Sequence, residues 1–418
     1  MTQAIRAKIL TPLSAAHGGG LRYLEDGLLR IDDAGRIAAA IPFDGPEEGT
    51  PILDLRPAVV LPGFVDAHVH FPQARIVGSA SGPLLEWLDR SVFPEEARFS
   101  DEAYARAVAP EFVRAMLEVG TTTAAIFASS HPVATSVLFE ELARSGMRAV
   151  AGLTLMDQRC PDDLRLAADR AIGASIELCD RWHGHDRGRL RFAITPRFAL
   201  SCSRRLMESA GRLAADRKLH VQTHVAENRA EGVQTLAAHR YAKDYAGVYD
   251  AVGLLGPQTV LAHAIHVTPL EWDRIAERGA RVAHCPDSNF FLGSGRMQLD
   301  PARERGIHVA LGTDVGAGRT FSVRRTMASA YDNALCLERP VAPAELLRMA
   351  TLGGAATLGL EGEIGSIEPG KDADLVVVDL PGHVRTEDEV LSHVVFASDV
   401  TRVSRAYVRG RRLDGAPV

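Results

Sequence analysis

Two histidines two residues apart, His68 and His70, sit in the run FVDAHVH. On a strand, period-two geometry puts both imidazoles on the same side. Burying two unpaired imidazoles is costly, and a divalent metal would satisfy both. His224, in HVAEN, and Asp314, in GTDVG, offer a third imidazole and a carboxylate. Three imidazoles and one carboxylate suit zinc, with iron as the alternative. A metal with an open position lowers the pKa of bound water from 15.7 toward ~7 and makes hydroxide available. Glu227 lies three residues beyond His224, where strand becomes loop. That suits a carboxylate which shuttles protons without binding metal. His263, in AHAIH, is placed to hydrogen-bond the water or a developing oxyanion.

These residues need a scaffold that brings distant strand ends together. Eight β-type runs recur at 65–70, 121–127, 148–156, 190–198, 219–227, 259–266, 281–289 and 308–316, separated by segments rich in Ala, Leu, Glu and Arg. Most begin apolar and end in a charged or metal-ligating group. Strands alternating with helices predict a closed parallel (β/α)8 TIM-like barrel over residues 61–365, whose strand ends converge on one face. An open doubly wound sheet is the competing arrangement, but no GxGxxG follows the first run. Ser100-Asp101 offers a helix cap and Gly120 a stop, while Pro110 between them predicts a kink or a split. The termini read differently. Asp32-Asp33-Ala34-Gly35 marks a hairpin, and Pro369-Gly370 precedes a β-rich run at 375–378. Residues 1–60 and 366–418 are expected to build one small β-sandwich domain together.

Of the 418 residues, 46% are hydrophobic and 24% charged, as in a globular protein rather than a disordered one. The net charge of −6 argues against nucleic-acid binding by broad phosphate neutralisation and against an anionic membrane surface. Five cysteines form no CxxC pair, so neither a disulfide framework nor a cysteine zinc site is signalled. No apolar run approaches the ~20 residues that span a bilayer, and the first residues lack a secretory pattern. The expectation is a cytoplasmic protein.

LPGFVDAHVH, HVAEN, AHAIH, HCPDSN and LGTDVGAG together resemble the amidohydrolase superfamily. Within it, HFPQ, PLLEWLDRSVFPEEARF, VGTTTA, ITPRFALSC and HCPDSNFFLGSG are similar to the guanine deaminase family. The similarity runs over nearly the whole chain. It implies hydrolysis of guanine to xanthine and ammonia, one zinc per subunit and a homodimer. Residue by residue, His68, His70, His224 and Asp314 match the metal ligands, Glu227 the proton shuttle and His263 the catalytic histidine. Asp314 is also expected to help deprotonate the attacking water. Gln73, Arg197 and Phe198 match substrate-binding residues, with Glu227 reaching the same ring. Phe71 and Trp87 are further candidates to stack on the base.

The alternatives are relatives acting on another heterocycle: an oxidised guanine, a pterin or a triazine. The fourth run has no lysine, which speaks against a two-metal hydrolase that needs one as a bridge. A non-catalytic barrel is disfavoured because all four candidate ligands and the acid are present. Quieter readings apply elsewhere. Asp66, Cys202 and Cys285 are read as structural, and His284 as a neighbour of the site. His17, His183, His185 and His239 are read as surface residues.

Overall fold

The computed structural model describes residues 3–45, 51–80 and 82–413. Parts of the two expected outer segments, 1–2, 46–50 and 414–418, lie outside the described residues. Four strands come first: β1 (Gln3–Pro12), β2 (Leu21–Ile31), β3 (Ile37–Pro42) and β4 (Ile52–Pro62). The next nine are β5 (Phe64–His70), β6 (Thr121–Phe127), β7 (Arg148–Gly152), β8 (Thr154–Leu155), β9 (Leu190–Pro196), β10 (His220–Val225), β11 (Thr259–His263), β12 (Arg281–His284) and β13 (Val309–Leu311). The last three are β14 (Leu375–Val378), β15 (Val403–Val408) and β16 (Arg411–Arg412).

Both ends of the chain enter one seven-stranded sheet, ordered β16-β15-β14-β4-β1-β2-β3. Its core gathers Ile5, Ile9, Leu29, Ile31, Val60, Leu375 and Val377. The hairpin at Asp32 closes through Gly35, whose φ is +79°. A side chain at Gly35 would meet the carbonyl oxygen of Arg409 at 2.0 Å, so the turn docks closely on the last strands.

The strands β5-β6-β7-β9-β10-β11-β12-β13 form a parallel path, with β8 paired to β9. Every residue of β5, β6 and β7 is buried, because helices cover the outside and side chains fill the inside. The filling is small and aliphatic, with Val65, Ala125, Val150, Ala193, Val260, Ala283 and Ala310 in one cluster. β13 returns to β5, and the seam is held by single bonds. Asp314 N–H donates to His68 O at 2.8 Å, and His70 N–H to Val315 O at 3.1 Å. Asp66, read as structural, accepts from the Thr313 N–H at 3.0 Å and ties the first strand to the last. Gly312 permits this approach: a Cβ there would lie 2.7 Å from His68 Cβ.

The helix Glu102–Glu118 begins at Asp101, whose side chain accepts from Ala103 N. It runs through Pro110 as one element, so the split that Pro110 could have caused does not occur. The proline costs about 3 kcal/mol in a helix interior. The buried stripe Ala105, Val108, Phe112, Val113, Met116 and Leu117 outweighs it. At the opposite end of the barrel from the site, Arg148 is buried and bonds Asp374 at 2.8 Å and Asp372 at 2.7 Å. This network fastens β7 to the seven-stranded sheet. Among the described residues, no helix is long and apolar enough to cross a membrane.

Candidate active site

The carboxyl ends of the barrel strands carry the site. β5 presents His68 and His70, β10 presents His224, and β11 ends at His263. Glu227 and Asp314 follow β10 and β13. His263 and Asp314 have φ of 72° and 50°, and Ala226, before Glu227, has 48°. Left-handed backbone at non-glycine residues is disfavoured and clusters at functional sites.

The His70 Nε2 atom lies 3.2 Å from Nε2 of both His68 and His224, and 3.2 Å from Asp314 Oδ1. His68 Nε2 is 3.1 Å from the same oxygen. A tetrahedron with about 2.0–2.1 Å metal–nitrogen bonds has edges of about 3.3–3.4 Å. Four of the six separations among these atoms are close to that edge. His263 also comes near, since its ligand atom and those of His68, His224 and Asp314 all lie within 4.8 Å of one another. Its Nε2 stands 3.7 Å from Asp314 Oδ2 and 3.5 Å from Glu227 Oε2, so it flanks the tighter set of four. That buried Nε2 has no hydrogen-bond partner among the described residues.

Protonation favours the same use. Burial holds His68 below the usual imidazole range, His70 at about 4 and His224 well below it. All three are neutral at pH 7, with lone pairs free for a metal. Burial pushes Asp314 upward, but the contacts of His68 and His70 prevail and hold it well below the usual carboxylate range. Glu227 goes the other way. Burial, then the charge of Asp314, pushes it up to about 8. Two carboxyls thus differ in charge state, an arrangement suited to separate acid and base roles. Ser294 Oγ donates to Glu227 Oε1 at 3.1 Å.

Above this cluster lies a pocket lined by His70, Gln73, Trp87, Arg197, Phe198, His224, Glu227 and Asp314, with Leu84, Leu88 and Leu292. A few polar groups in an apolar wall are what a small-molecule site needs. Gln73, Arg197 and Phe198 are all brought to it. Phe71 is not: its ring packs against Phe99 and Phe112, at 5.0 and 5.4 Å between centroids. One residue past His70, it points away from the interior. Trp87, on the short helix Leu84–Trp87, does line the wall.

His284 is fully buried beside His263, and neither of its ring nitrogens has a hydrogen-bond partner among the described residues. His239, expected at the surface, is buried and bonds Ala199 O at 2.8 Å, because its helix packs over the loop after β9. The sequence reading passed over Glu96, Ser294, Asn289 and Glu231. Glu96 touches Gln73 and Arg197, and Asn289 Oδ1 lies 2.9 Å from His263 Nδ1. Glu96, Ser294 and Asn289 fall inside the quoted motifs, but single polar residues on short helices and loops have no periodic signature.

A parallel barrel whose first, fifth and eighth strand ends converge on three imidazoles and a carboxylate defines a metal-site hydrolase barrel. The comparisons with known proteins agree. The amidohydrolase family model matches residues 59–413. The guanine deaminase of Escherichia coli is 38% identical over 405 residues, covering 94% of this chain and 92% of that protein. The guanine deaminase of Homo sapiens is 31% identical, covering 94% and 93%. A crystal structure of guanine deaminase from C. acetobutylicum with bound guanine superposes with a TM-score of 0.92 at 30% identity, covering 99% of this chain and 100% of that one. The chain belongs to the amidohydrolase family.

Proposed function

We propose that the chain is a guanine deaminase, converting guanine and water to xanthine and ammonia with one zinc ion per chain. The observation that carries this is one pocket holding Gln73, Arg197 and Phe198 over the cluster of His68, His70, His224 and Asp314. The guanine deaminases among its relatives support it.

His68, His70, His224 and Asp314 would hold the ion, which supplies hydroxide at neutral pH. Phe198 offers its face to the purine plane, and Arg197 and Gln73 bond its polar edge. Glu227, kept protonated by burial, donates its proton to ring nitrogen N3 and makes C2 electrophilic. Asp314 accepts one proton of the attacking water, and the hydroxyl that remains adds to C2. Asp314 passes that proton to the exocyclic amine, and the C2–N bond breaks to release ammonia. Glu227 takes the remaining hydroxyl proton, which leaves the C2 carbonyl of xanthine and restores the acid. His263, with Nδ1 at 2.9 Å from Asn289 Oδ1, turns its Nε2 lone pair toward the site, where it can accept from the attacking water.

Zinc rather than iron, a role in purine catabolism, a cytoplasmic setting and a homodimer belong to the same reading. So does the division into an outer domain of 1–60 and 366–418 and a barrel of 61–365. The test is to incubate zinc-loaded protein with guanine and follow xanthine and ammonia beside a chelated control. Metal-dependent xanthine formation is expected. Bound metal with no guanine turnover would overturn the substrate, and absence of bound metal would overturn the site.

A further inference from the structure

Glu96 lies on the short helix Phe93–Ala97 and is only 4% exposed. Its two oxygens serve two different partners. Oε1 accepts from Gln73 Nε2 at 3.1 Å, and Oε2 from Arg197 Nη1 at 2.6 Å. Gln73 is pinned from its other side as well, because Gly316 N–H donates to its Oε1 at 3.0 Å. A carboxylate only accepts and a backbone N–H only donates, so these two bonds fix which end of the Gln73 amide is which. Arg197 is 3% exposed and Glu96 is the acidic partner it bonds, so a buried cation meets a buried anion.

We infer that Glu96 is a specificity-determining positioning residue: it orients Gln73 and Arg197 and cancels the guanidinium charge, so that the pocket takes a neutral purine in preference to an anionic one. This rests on the reading of Gln73 and Arg197 as purine contacts. A neutral ring needs dipoles, and the paired Arg197 supplies N–H donors without net charge. An anionic oxopurine would need a spare cation. Glu96 has consumed the one at this edge of the pocket, since it pairs with Arg197 at 2.6 Å.

The test compares wild type, Glu96→Gln and Glu96→Asp, all zinc-loaded, in guanine turnover and in competitive inhibition by urate, which is anionic at neutral pH. Glu96→Gln removes the charge and keeps the shape. Its kcat/KM for guanine is expected to fall about 10- to 100-fold, while urate binds about 10-fold more tightly. Glu96→Asp keeps the charge and shortens the reach, so guanine weakens while urate stays excluded. Should Glu96→Gln fail to fold, Arg197→Gln carries the test with opposite sign, weakening urate further relative to guanine. An unchanged ratio of urate to guanine affinity in a folded, zinc-loaded variant would overturn the inference. So would a loss of zinc from both Glu96 variants, which would mark a structural role. If wild type itself forms no xanthine, the guanine reading fails, a result distinct from turnover with an unchanged ratio.

Discussion

The carbonyl oxygen of Arg197 accepts from His224 twice, from the imidazole Nδ1 at 2.6 Å and from the backbone N–H at 3.3 Å. It sits beside a parallel bridge pairing Phe198 with His224. A proton on Nδ1 leaves the Nε2 lone pair facing the His70 nitrogen. The backbone at the end of β9 therefore orients a metal-ligand candidate, while its side chains face the substrate pocket.

Both bonds use the main chain of Arg197, so its side chain can be removed separately. Arg197→Ala is expected to retain zinc while kcat/KM for guanine falls about 10- to 100-fold, the cost of a charged hydrogen bond. Metal analysis beside steady-state kinetics checks both halves. Loss of zinc in step with activity would refute the separation.

Glu227→Gln keeps the size and the Ser294 contact and removes the proton. Turnover should fall about 10²- to 10⁴-fold with zinc content unchanged. Residual activity near the wild-type rate would assign proton transfer elsewhere.

Arg148 lies far from the chemistry. Arg148→Met leaves Asp374 buried without its cation. Breaking a buried pair from one side costs about 3–5 kcal/mol. Urea unfolding should show that loss, while kcat of the folded fraction stays the same. A normal midpoint would mean the network is solvated.

His220 gives a pH prediction. It is buried at the start of β10, its Nε2 is 2.8 Å from Leu358 O, and burial lowers its pKa from 6.5 to about 4. The unfolded chain takes up a proton as pH falls through 6.5, while the folded chain resists until about 4. Stability is therefore fully present above 6.5 and lost progressively between 6.5 and 4, by up to roughly 3 kcal/mol. Unfolding midpoints of wild type and His220→Gln across that window check it. The variant should lose less on acidification, and parallel curves would contradict the assignment.

The order of the chemistry was legible in the sequence because it follows local rules. The two-residue spacing of His68 and His70 places both imidazoles in the barrel through strand periodicity alone. Apolar runs ending in His224, His263 and Asp314 mark strand ends, and strands alternating with helices leave few topologies. Side-chain destinations in loops were not legible. Phe71 and Trp87 are both aromatic and close to the first strand end, yet one enters the helix layer and the other the pocket wall. Pro110 stayed within a helix because its neighbours bury an apolar stripe that no local propensity includes. Above all, the 23 positions between Gln73 and Glu96 and the 101 between Glu96 and Arg197 carry no period. Only the closed barrel, with a short helix folded over its mouth, makes them neighbours. Hydrogen bonding and charge compensation act through space, so the tertiary structure alone decides them.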